Sequence, residues 1–392
     1  MVPSWTTIER TTVPPGSWEV LEETIGRAGT PYSAELVEAA EACLEELVAI
    51  LNVAGVVVRR PDVIDFSSSF STPEWDIRSG VSAANPRDVL LVVGDEIIEV
   101  PMADRGRHFE TWPYRRLVKG YFESGARWTA APKPQLVDDL YRRGYEVPAQ
   151  AEEMRYVLTE FEPVFDAADV VRCGRDLFML RSHVTNASGI RWLRRHLGDS
   201  YRVHEVESRY RRAMHIDTSL LPLAPGKVMV NPEFMDPATL PPQFDSWDVL
   251  IAPEPVVTAK NHGSLVSRWG SLNVLMLDPT RVVVERRQEP LIRAFEEWGF
   301  EPIPCSFEDY ALFGGLLHCA TLDVRRRGEL ETYFERPPTR RAGGVSRWPY
   351  DSLNLADVRR GQELLPSRLS RNPSQGLQCP ERSGFDWHSW GP

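Results

Sequence analysis

The chain has 392 residues, which is enough for one large domain or two ordinary ones, and its 42% of hydrophobic residues exclude a wholly disordered protein. The formal net charge of −11 at pH 7 argues against nucleic acid as a partner, because an acidic protein repels phosphates. The longest apolar runs, such as 89–93 and 272–277, are much shorter than the roughly 18–20 residues of a membrane-spanning helix, so we expect no membrane segment.

Five cysteines are widely spaced along the chain: Cys43, Cys173, Cys305, Cys319 and Cys379. Their number is odd and no CxxC pair or CxxC…HxxxH spacing occurs, so we expect neither a disulfide framework nor a metal site. The first residues show no apolar core of a signal peptide. We therefore expect reduced thiols and a cytoplasmic protein, in which one cysteine is free to act as a nucleophile.

The first predicted element is a helix that Ser33 can cap and Gly55 can end, because apolar residues recur between them at three- and four-residue steps. A strand is predicted next, at 56–59. A pattern of strand, turn, strand, helix and strand then recurs about every 50 residues. Its strand pairs are predicted at 89–93 and 97–100, 169–173 and 177–180, 220–223 and 228–230, and 271–277 and 282–284. Helices at 185–197 and 289–298 precede strands at 201–205 and 301–304.

Reactive side chains fall just before, or at the start of, the first strand of successive units. They are Asp88, Asp166, His215, Ser267 and Cys319. Equivalent strand ends converge on the axis of a ring but spread along a linear solenoid, so we predict a ring of α/β units with an axial site. Chance spacing of polar residues is the alternative.

The repeating pattern ends at Phe334. Residues 335–392 are rich in Pro and Arg and show no sustained periodicity, which is typical of a disordered tail. We therefore predict one catalytic domain over residues 1–334, followed by a tail over 335–392.

Cys319 follows a pair of glycines, adjoins His318 and precedes three arginines at 325–327. Positive charge near a thiol favours the thiolate, the form that attacks, although a cysteine among apolar residues is also typical of a buried core. His215 and Asp217 have the strand spacing that puts them on one face. They are acid/base candidates, with a purely structural pair as the alternative.

Carboxylates recur in otherwise apolar surroundings at Asp88, Asp166 and Asp169. Buried carboxylates are costly unless they meet a cation or hydrogen-bond donors. Several of them beside a histidine and a cysteine indicate a site for a planar cation such as guanidinium. The sequence contains no GxGxxG, GxxxxGK[ST], HExxH or GxSxG motif, so nucleotide, zinc-protease and hydrolase-elbow sites lack support.

The stretches EFEPVFDAADVVRCGRDLF, MHIDTS, NVLMLD and HCATLDVRRRG resemble those of the amidinotransferases, the family of arginine:glycine and inosamine-phosphate amidinotransferases. The resemblance runs from about Val13 to Phe334. It implies a pentein-like, five-bladed α/β propeller of ββαβ modules. The family's first strand is missing, so either the first blade is incomplete or the gene start is misplaced.

The resemblance also implies the site. It gives Cys319 as nucleophile, His215 as acid/base, Asp166 as third member of the triad, Asp88 and Asp217 as carboxylates that grip the guanidinium, and Ser267 as a donor-binding serine. Phe234 stands where the family often has an arginine for the donor carboxylate.

The implied reaction moves the amidino group of L-arginine to an acceptor amine through a covalent amidino-cysteine and releases L-ornithine. The acceptor is glycine or an amine of specialised metabolism, and Arg211 and Arg212 before His215 favour an acceptor that bears an anion. The resemblance implies no cofactor and no metal, and it implies a homodimer. An arginine deiminase-like hydrolase and a catalytically dead binding scaffold are the alternatives.

Overall fold

The computed structural model describes residues 8–258 and 266–334, so the predicted tail at 335–392 lies outside the described residues. The chain divides into two units, and every described residue falls within the first, Met1–Glu335. Across the described ranges, no helix combines the length and the apolar character that crossing a membrane requires.

Helices form the amino-terminal part of the described chain: Glu9–Thr12, Trp18–Gly26 and Ala34–Val53. The third confirms the predicted helix, since the Ser33 hydroxyl accepts from the Leu36 N–H and Gly55 adopts a φ of 78° behind it. The strand predicted at 56–59 is wrong. Those residues are irregular, and Val57 is 76% exposed, because no neighbouring strand pairs with them there.

A short antiparallel hairpin, Phe70–Ser71 with Asp76–Ile77, follows the third helix. Four three-stranded sheets come next, which we call modules 1 to 4 in chain order. Their strands are Leu90–Val93, Glu96–Glu99 and Arg127–Ala130; Val170–Cys173, Asp176–Arg181 and Arg202–Glu207; Leu220–Ala224, Lys227–Val230 and Asp248–Ile251; and Leu275–Met276, Arg281–Glu285 and Glu301–Cys305.

Each module has the same topology. The first strand runs antiparallel to the middle strand, and the third strand runs parallel to it. A parallel return needs a crossover, and modules 1, 2 and 4 supply it with the helices Arg115–Glu123, Ala187–Leu197 and Glu289–Glu297. The crossover of module 3 contains only the short 3₁₀ helices Pro237–Thr239 and Pro242–Phe244. The short helix Pro86–Val89 leads into module 1.

Successive modules bury their apolar faces against each other. One core joins modules 1 and 2, a second joins modules 2 and 3, and a third joins modules 3 and 4. The helix Ala34–Val53 packs on module 4. Beyond module 4 the chain returns to the start of module 1, where the Tyr310 hydroxyl donates to the Ala84 carbonyl and Asn85 Nδ2 donates to the Phe313 carbonyl, both at 2.8 Å.

The α/β class and the repeating unit are therefore confirmed. A fifth three-stranded module does not occur within residues 8–258 and 266–334, so the five-bladed propeller remains a prediction. The first strand of module 4 is shorter than the predicted 271–277, because Arg268–Leu272 coils as a 3₁₀ helix and the strand covers only Leu275–Met276.

Candidate active site

Each module places a buried polar side chain just before its first strand. Asp88 precedes module 1, Asp166 module 2, Asp217 module 3 and Asn273 module 4, and all four are at most 4% exposed. Asp88, Asp217 and Asn273 lie near the Cys319 sulfur, and Asp166 contacts His215 beside it. Cys319 itself does not precede a strand, as the repeat predicted, but lies in a turn over residues 317–320.

His215 lies between two of these carboxylates. Its Nε2 donates to Asp166 Oδ2 over 3.1 Å, and its Nδ1 lies 3.9 Å from Asp88 Oδ1. Burial by itself lowers the pKa of His215, but Asp88 and Asp166 outweigh burial and raise the pKa well above its usual value. His215 also has a φ of 59°, a strained value for a residue with a Cβ and one typical of functional sites.

The Cys319 thiol is 4% exposed and faces the same groups. Its Sγ lies 3.2 Å from Asn273 Nδ2 and 3.8 Å from Asp217 Oδ2. Ligand atoms of Asp88, His215 and Cys319 lie within 4.8 Å of one another, a spacing that could also hold a metal ion. Burial, Asp217 and Asp88 together raise the pKa of the thiol to about 12. The two carboxylates and burial therefore favour the protonated thiol, against the opposing effect of His215.

The turn that carries Cys319 depends on a close approach of backbone. Gly314 has a φ of 85°, and a Cβ on Gly315 would come within 2.5 Å of the Cys319 Cβ and 2.4 Å of Asn85 Oδ1. On the other side, Arg87 Nε donates to the His318 carbonyl over 2.7 Å. The glycine pair singled out in the sequence is thus a packing requirement of the nucleophile's turn.

Asp88 and Asp217 each use one oxygen and keep the other free. Asp88 Oδ2 accepts from Arg107 over 2.9 Å, and Asp217 Oδ2 accepts from Asn273 Nδ2 and His318 Nδ1, both over 2.7 Å. The Oδ1 atoms of both aspartates are buried without a hydrogen-bond partner. Burial raises the pKa of Asp217, but His318 and the charged groups nearby outweigh burial and lower it. These two carboxylate oxygens can therefore accept hydrogen bonds from a ligand that carries N–H groups.

Arg107 is a site residue that the sequence analysis missed. It is 7% exposed and forms ion pairs with Asp88, Glu110 and Asp166. Burial raises the pKa of Glu110 to about 7 against the opposing effect of Arg107. The signal was present as an arginine three residues before a glutamate in the segment ADRGRHFE, but only the fold shows that the pair is buried beside two further carboxylates.

Ser267, the predicted donor-binding serine, and Phe234, which replaces a family arginine, have the following contacts. The Ser267 hydroxyl accepts from the Trp269 N–H over 3.3 Å, at the cap of the 3₁₀ helix before Asn273. Phe234 is 3% exposed and stacks on Tyr210 with ring centroids 4.0 Å apart. Phe234 is therefore part of the core shared by modules 3 and 4.

The two arginines before His215 form hydrogen bonds with main-chain carbonyls. Arg211 donates to the carbonyls of Gln150 and Glu152. Arg212 donates to the carbonyls of Thr11 and Val13 and lies over the Trp18 ring. These contacts tie the segment before His215 to the rest of the molecule. Bonds to neutral carbonyls leave the positive charge of both arginines in place, so the anionic acceptor stays a prediction.

Comparison with known proteins gives consistent similarities, although no family model matches the chain. The L-arginine:L-lysine amidinotransferase of Pseudomonas savastanoi pv. phaseolicola is 48% identical over 307 residues, 78% of this chain and 84% of that protein. The mitochondrial glycine amidinotransferase of Gallus gallus is 42% identical over 343 residues, 83% of this chain and 81% of that protein.

Solved structures are similar over the same part of the chain. SxtG, an amidinotransferase of the saxitoxin biosynthetic pathway from Microseira wollei, is 55% identical with a TM-score of 0.80, over 85% of this chain and 93% of that one. The inosamine-phosphate amidinotransferase StrB1 of Streptomyces griseus is 38% identical with a TM-score of 0.74, over 85% and 92%. DDAH from Pseudomonas aeruginosa, 14% identical with a TM-score of 0.50 over 74% and 89%, shares the fold alone.

Proposed function

The chain belongs to the amidinotransferases, and from this premise we propose that it transfers the amidino group of L-arginine to an acceptor amine through a covalent amidino adduct on Cys319, releasing L-ornithine. The observation that carries the proposal is the position of the Cys319 sulfur beside two buried carboxylates, each with one oxygen lacking a partner. A guanidinium group presents a planar set of N–H donors that fits such oxygens.

In the proposed donor complex, the guanidinium of arginine pairs with Asp88 Oδ1 and Asp217 Oδ1. The positive charge then offsets the two carboxylates that keep the thiol protonated, so the thiol loses its proton to solvent and the sulfur becomes a thiolate. Donor binding therefore prepares both the nucleophile and the position of the carbon that it attacks.

The first half-reaction forms a bond between Cys319 Sγ and the guanidinium carbon and breaks the bond from that carbon to the ornithine nitrogen. His215 starts as an imidazolium, consistent with its raised pKa, and gives its proton to the departing nitrogen. Asp166 holds the ring by its Nε2. In the second half-reaction the acceptor amine attacks the adduct, its proton passes to His215, and the C–S bond breaks to restore the thiolate.

For the acceptor, we propose a primary amine of an amino acid such as glycine or of a specialised metabolite. The names of the relatives span lysine, glycine and an inosamine phosphate. The segment that carries His215 is the candidate wall for the acceptor, and its two arginines bond to main-chain carbonyls. The positive charge of these arginines supports an acceptor that bears an anion, such as the carboxylate of an amino acid.

The test supplies L-arginine with glycine, lysine or a carboxylate-free amine and measures ornithine and the guanidino product. Mass spectrometry after mixing with arginine alone is expected to find the amidino mass on the peptide that contains Cys319, and Cys319→Ser is expected to abolish both signals. Citrulline and ammonia from arginine alone would identify a hydrolase instead. An adduct on Cys173 or Cys305, both buried core cysteines, would contradict the assignment.

We further propose that the four modules are blades of a five-part α/β propeller around this site and that the protein is a homodimer. The fold shared with DDAH and the return of the chain from module 4 to Ala84 and Asn85 support the ring. An experimental structure of the full chain and its mass in solution test both statements.

A further inference from the structure

Asn273 joins the nucleophile to one of the two carboxylates beside it. Its Nδ2 lies 2.7 Å from Asp217 Oδ2 and 3.2 Å from Cys319 Sγ. Its Oδ1 accepts from the backbone N–H groups of His318 and Cys319, each at 2.9 Å. The side chain is 4% exposed, so water does not compete for these contacts.

The four contacts leave one orientation for the amide. Oδ1 must face the two backbone N–H groups, since the reversed amide would set its own NH₂ against two donors. Nδ2 then has one hydrogen for Asp217 and one for the sulfur. A thiol sulfur is a weak acceptor and a thiolate is a strong one, so this hydrogen bond strengthens as the sulfur gains negative charge.

We propose that Asn273 is a catalytic residue whose amide N–H stabilises the negatively charged Cys319 sulfur. The inference rests on the proposed function and adds to it a group that touches the reacting atom. When the sulfur bonds to the guanidinium carbon its negative charge disappears, and when the acceptor displaces it the charge returns. Asn273 therefore assists thiolate formation before the first step and sulfur departure in the second.

Stabilising the thiolate has two opposite effects on the reaction rate, and the favourable one is larger. A stabilised thiolate is a weaker nucleophile, but nucleophilicity falls less steeply than the thiolate population rises when the thiol pKa lies far above the working pH. Burial and the carboxylates hold the pKa of Cys319 near 12. Each gain in thiolate population therefore increases the rate.

Asn186 provides a matched control. It is equally buried at 2% exposure and also makes four contacts, with Nδ2 donating to the carbonyls of Thr159 and Glu162 and Oδ1 accepting from two backbone N–H groups. None of these partners is a sulfur or a carboxylate. Asn186→Ala thus shows how much stability is lost when a buried asparagine is removed away from the Cys319 sulfur.

The experiment measures alkylation of Cys319 by iodoacetamide at pH 8, without arginine, in full-length wild type, Asn273→Ala, Asn273→Asp and Asn186→Ala. Peptide mass spectrometry follows Cys319 separately from the other cysteines, and Tm reports folding. We expect alkylation to fall roughly 10- to 150-fold in Asn273→Ala, the factor for one hydrogen bond to a charged group. Asn273→Asp, which keeps oxygens for the backbone N–H groups but replaces the donor, is expected to fall as far, with kcat reduced more than KM for arginine.

Asn186→Ala should lower Tm without slowing the alkylation of Cys319. Wild-type alkylation rates in a folded Asn273→Asp or Asn273→Ala variant would overturn the inference. If instead the wild type forms no amidino adduct while alkylation still depends on Asn273, the proposed function fails and the hydrogen bond to the sulfur stands. Should Asn273→Ala not fold, Asn273→Asp and Asn273→Ser decide the matter.

Discussion

At the scale of single residues, the site without its donor disfavours ionisation of the Cys319 thiol. Burial, Asp217 and Asp88 raise the pKa of the Cys319 thiol, while Asp88 and Asp166 raise the pKa of His215. A guanidinium brings positive charge to Asp88 and Asp217 and so lowers the pKa of the thiol, while Asp166 keeps its contact with His215. Selectivity for a cationic donor thus follows from the pKa of the thiol as well as from shape.

Asp217 favours binding of the guanidinium but raises the pKa of the Cys319 thiol, and one variant can separate these two effects. Asp217→Asn removes the charge that, after burial, contributes most to the raised pKa of Cys319. We expect faster alkylation of Cys319 at pH 8 but a kcat/KM for arginine that falls roughly 10- to 150-fold, since one charge-assisted pair contributes about 1.5–3 kcal/mol. Alkylation kinetics and steady-state assays measure the two effects.

Asp176→Asn is the control for that variant, because Asp176 is equally buried but pairs with Arg202 and His204 in module 2. It is expected to lower Tm and to leave alkylation of Cys319 unchanged. Slower alkylation in Asp217→Asn than in wild type would contradict this account of the thiol pKa.

Phe234 stands where the family often has an arginine for the donor carboxylate, but its side chain is buried in the core. An arginine there would lower the KM for arginine only if its side chain entered the site, and the ring instead lies between Tyr210 and Trp269. We expect Phe234→Arg to lower the free energy of unfolding by at least the roughly 3–5 kcal/mol of a large core truncation, with no decrease in KM. Denaturant titration measures the loss, and Phe234→Leu is the milder comparison. A stable Phe234→Arg with improved KM would show that the side chain reaches the donor.

At the scale of elements, the turn that carries Cys319 is held by hydrogen bonds and tight packing on several sides. Arg87 fixes the His318 carbonyl and also pairs with Asp323 over 2.9 Å. Asn273 fixes two successive N–H groups of the turn, and Gly315 packs against Asn85. The position of the sulfur is therefore set by three segments that are far apart in the chain.

Gly315→Ala tests this fit. A Cβ at 2.4–2.5 Å from Asn85 Oδ1 and Cys319 Cβ must displace the turn, and a shift of about 1 Å can cost on the order of 100-fold in rate. We expect a large loss of kcat in steady-state assays. Gly120→Ala, in the helix Arg115–Glu123 where a Cβ meets nothing within 4 Å, should stabilise the fold by about 0.5–1 kcal/mol and leave kcat unchanged. Equal kcat for the two variants would refute the packing explanation.

At the scale of the whole molecule, sequence reasoning recovered the repeating unit from local signals. These are apolar strands in every module, a glycine turn in modules 1 to 3 and a crossover helix in modules 1, 2 and 4. It failed at 56–59, where β-branched residues have no partner strand. Cys319, His215 and Asp166 were found from motifs and family resemblance, and the structure brings them together.

Arg107 and Asn273 were missed for a physical reason. Their importance depends on contacts across long separations, such as the 46 residues between Asn273 and Cys319, and no local period reports such contacts. An arginine or asparagine near a strand end is ordinary in a sequence. It becomes informative only when burial and unpaired carboxylate oxygens surround it.

The predicted tail leads to an experiment on the boundary of the catalytic part. Truncation after Glu335 is expected to leave kcat/KM and Tm close to those of the full chain. Truncation after Tyr333 should lower Tm, because Phe334 is 7% exposed and packs against Phe178, Phe244 and Trp247. Thermal unfolding and steady-state assays of both variants measure the difference. Loss of folding in the longer variant would place an essential contact beyond Glu335.

The meeting of five separate segments at one sulfur also governs how the protein acquires activity when it folds. Asp166 and His215 are 49 residues apart, and Asp217 and Cys319 are 102 apart. Each such closure is entropically slow compared with forming a helix or hairpin inside one module. During refolding, the circular dichroism of the modules should therefore return well before the thiol becomes protected, and enzymatic turnover should be the last signal to recover.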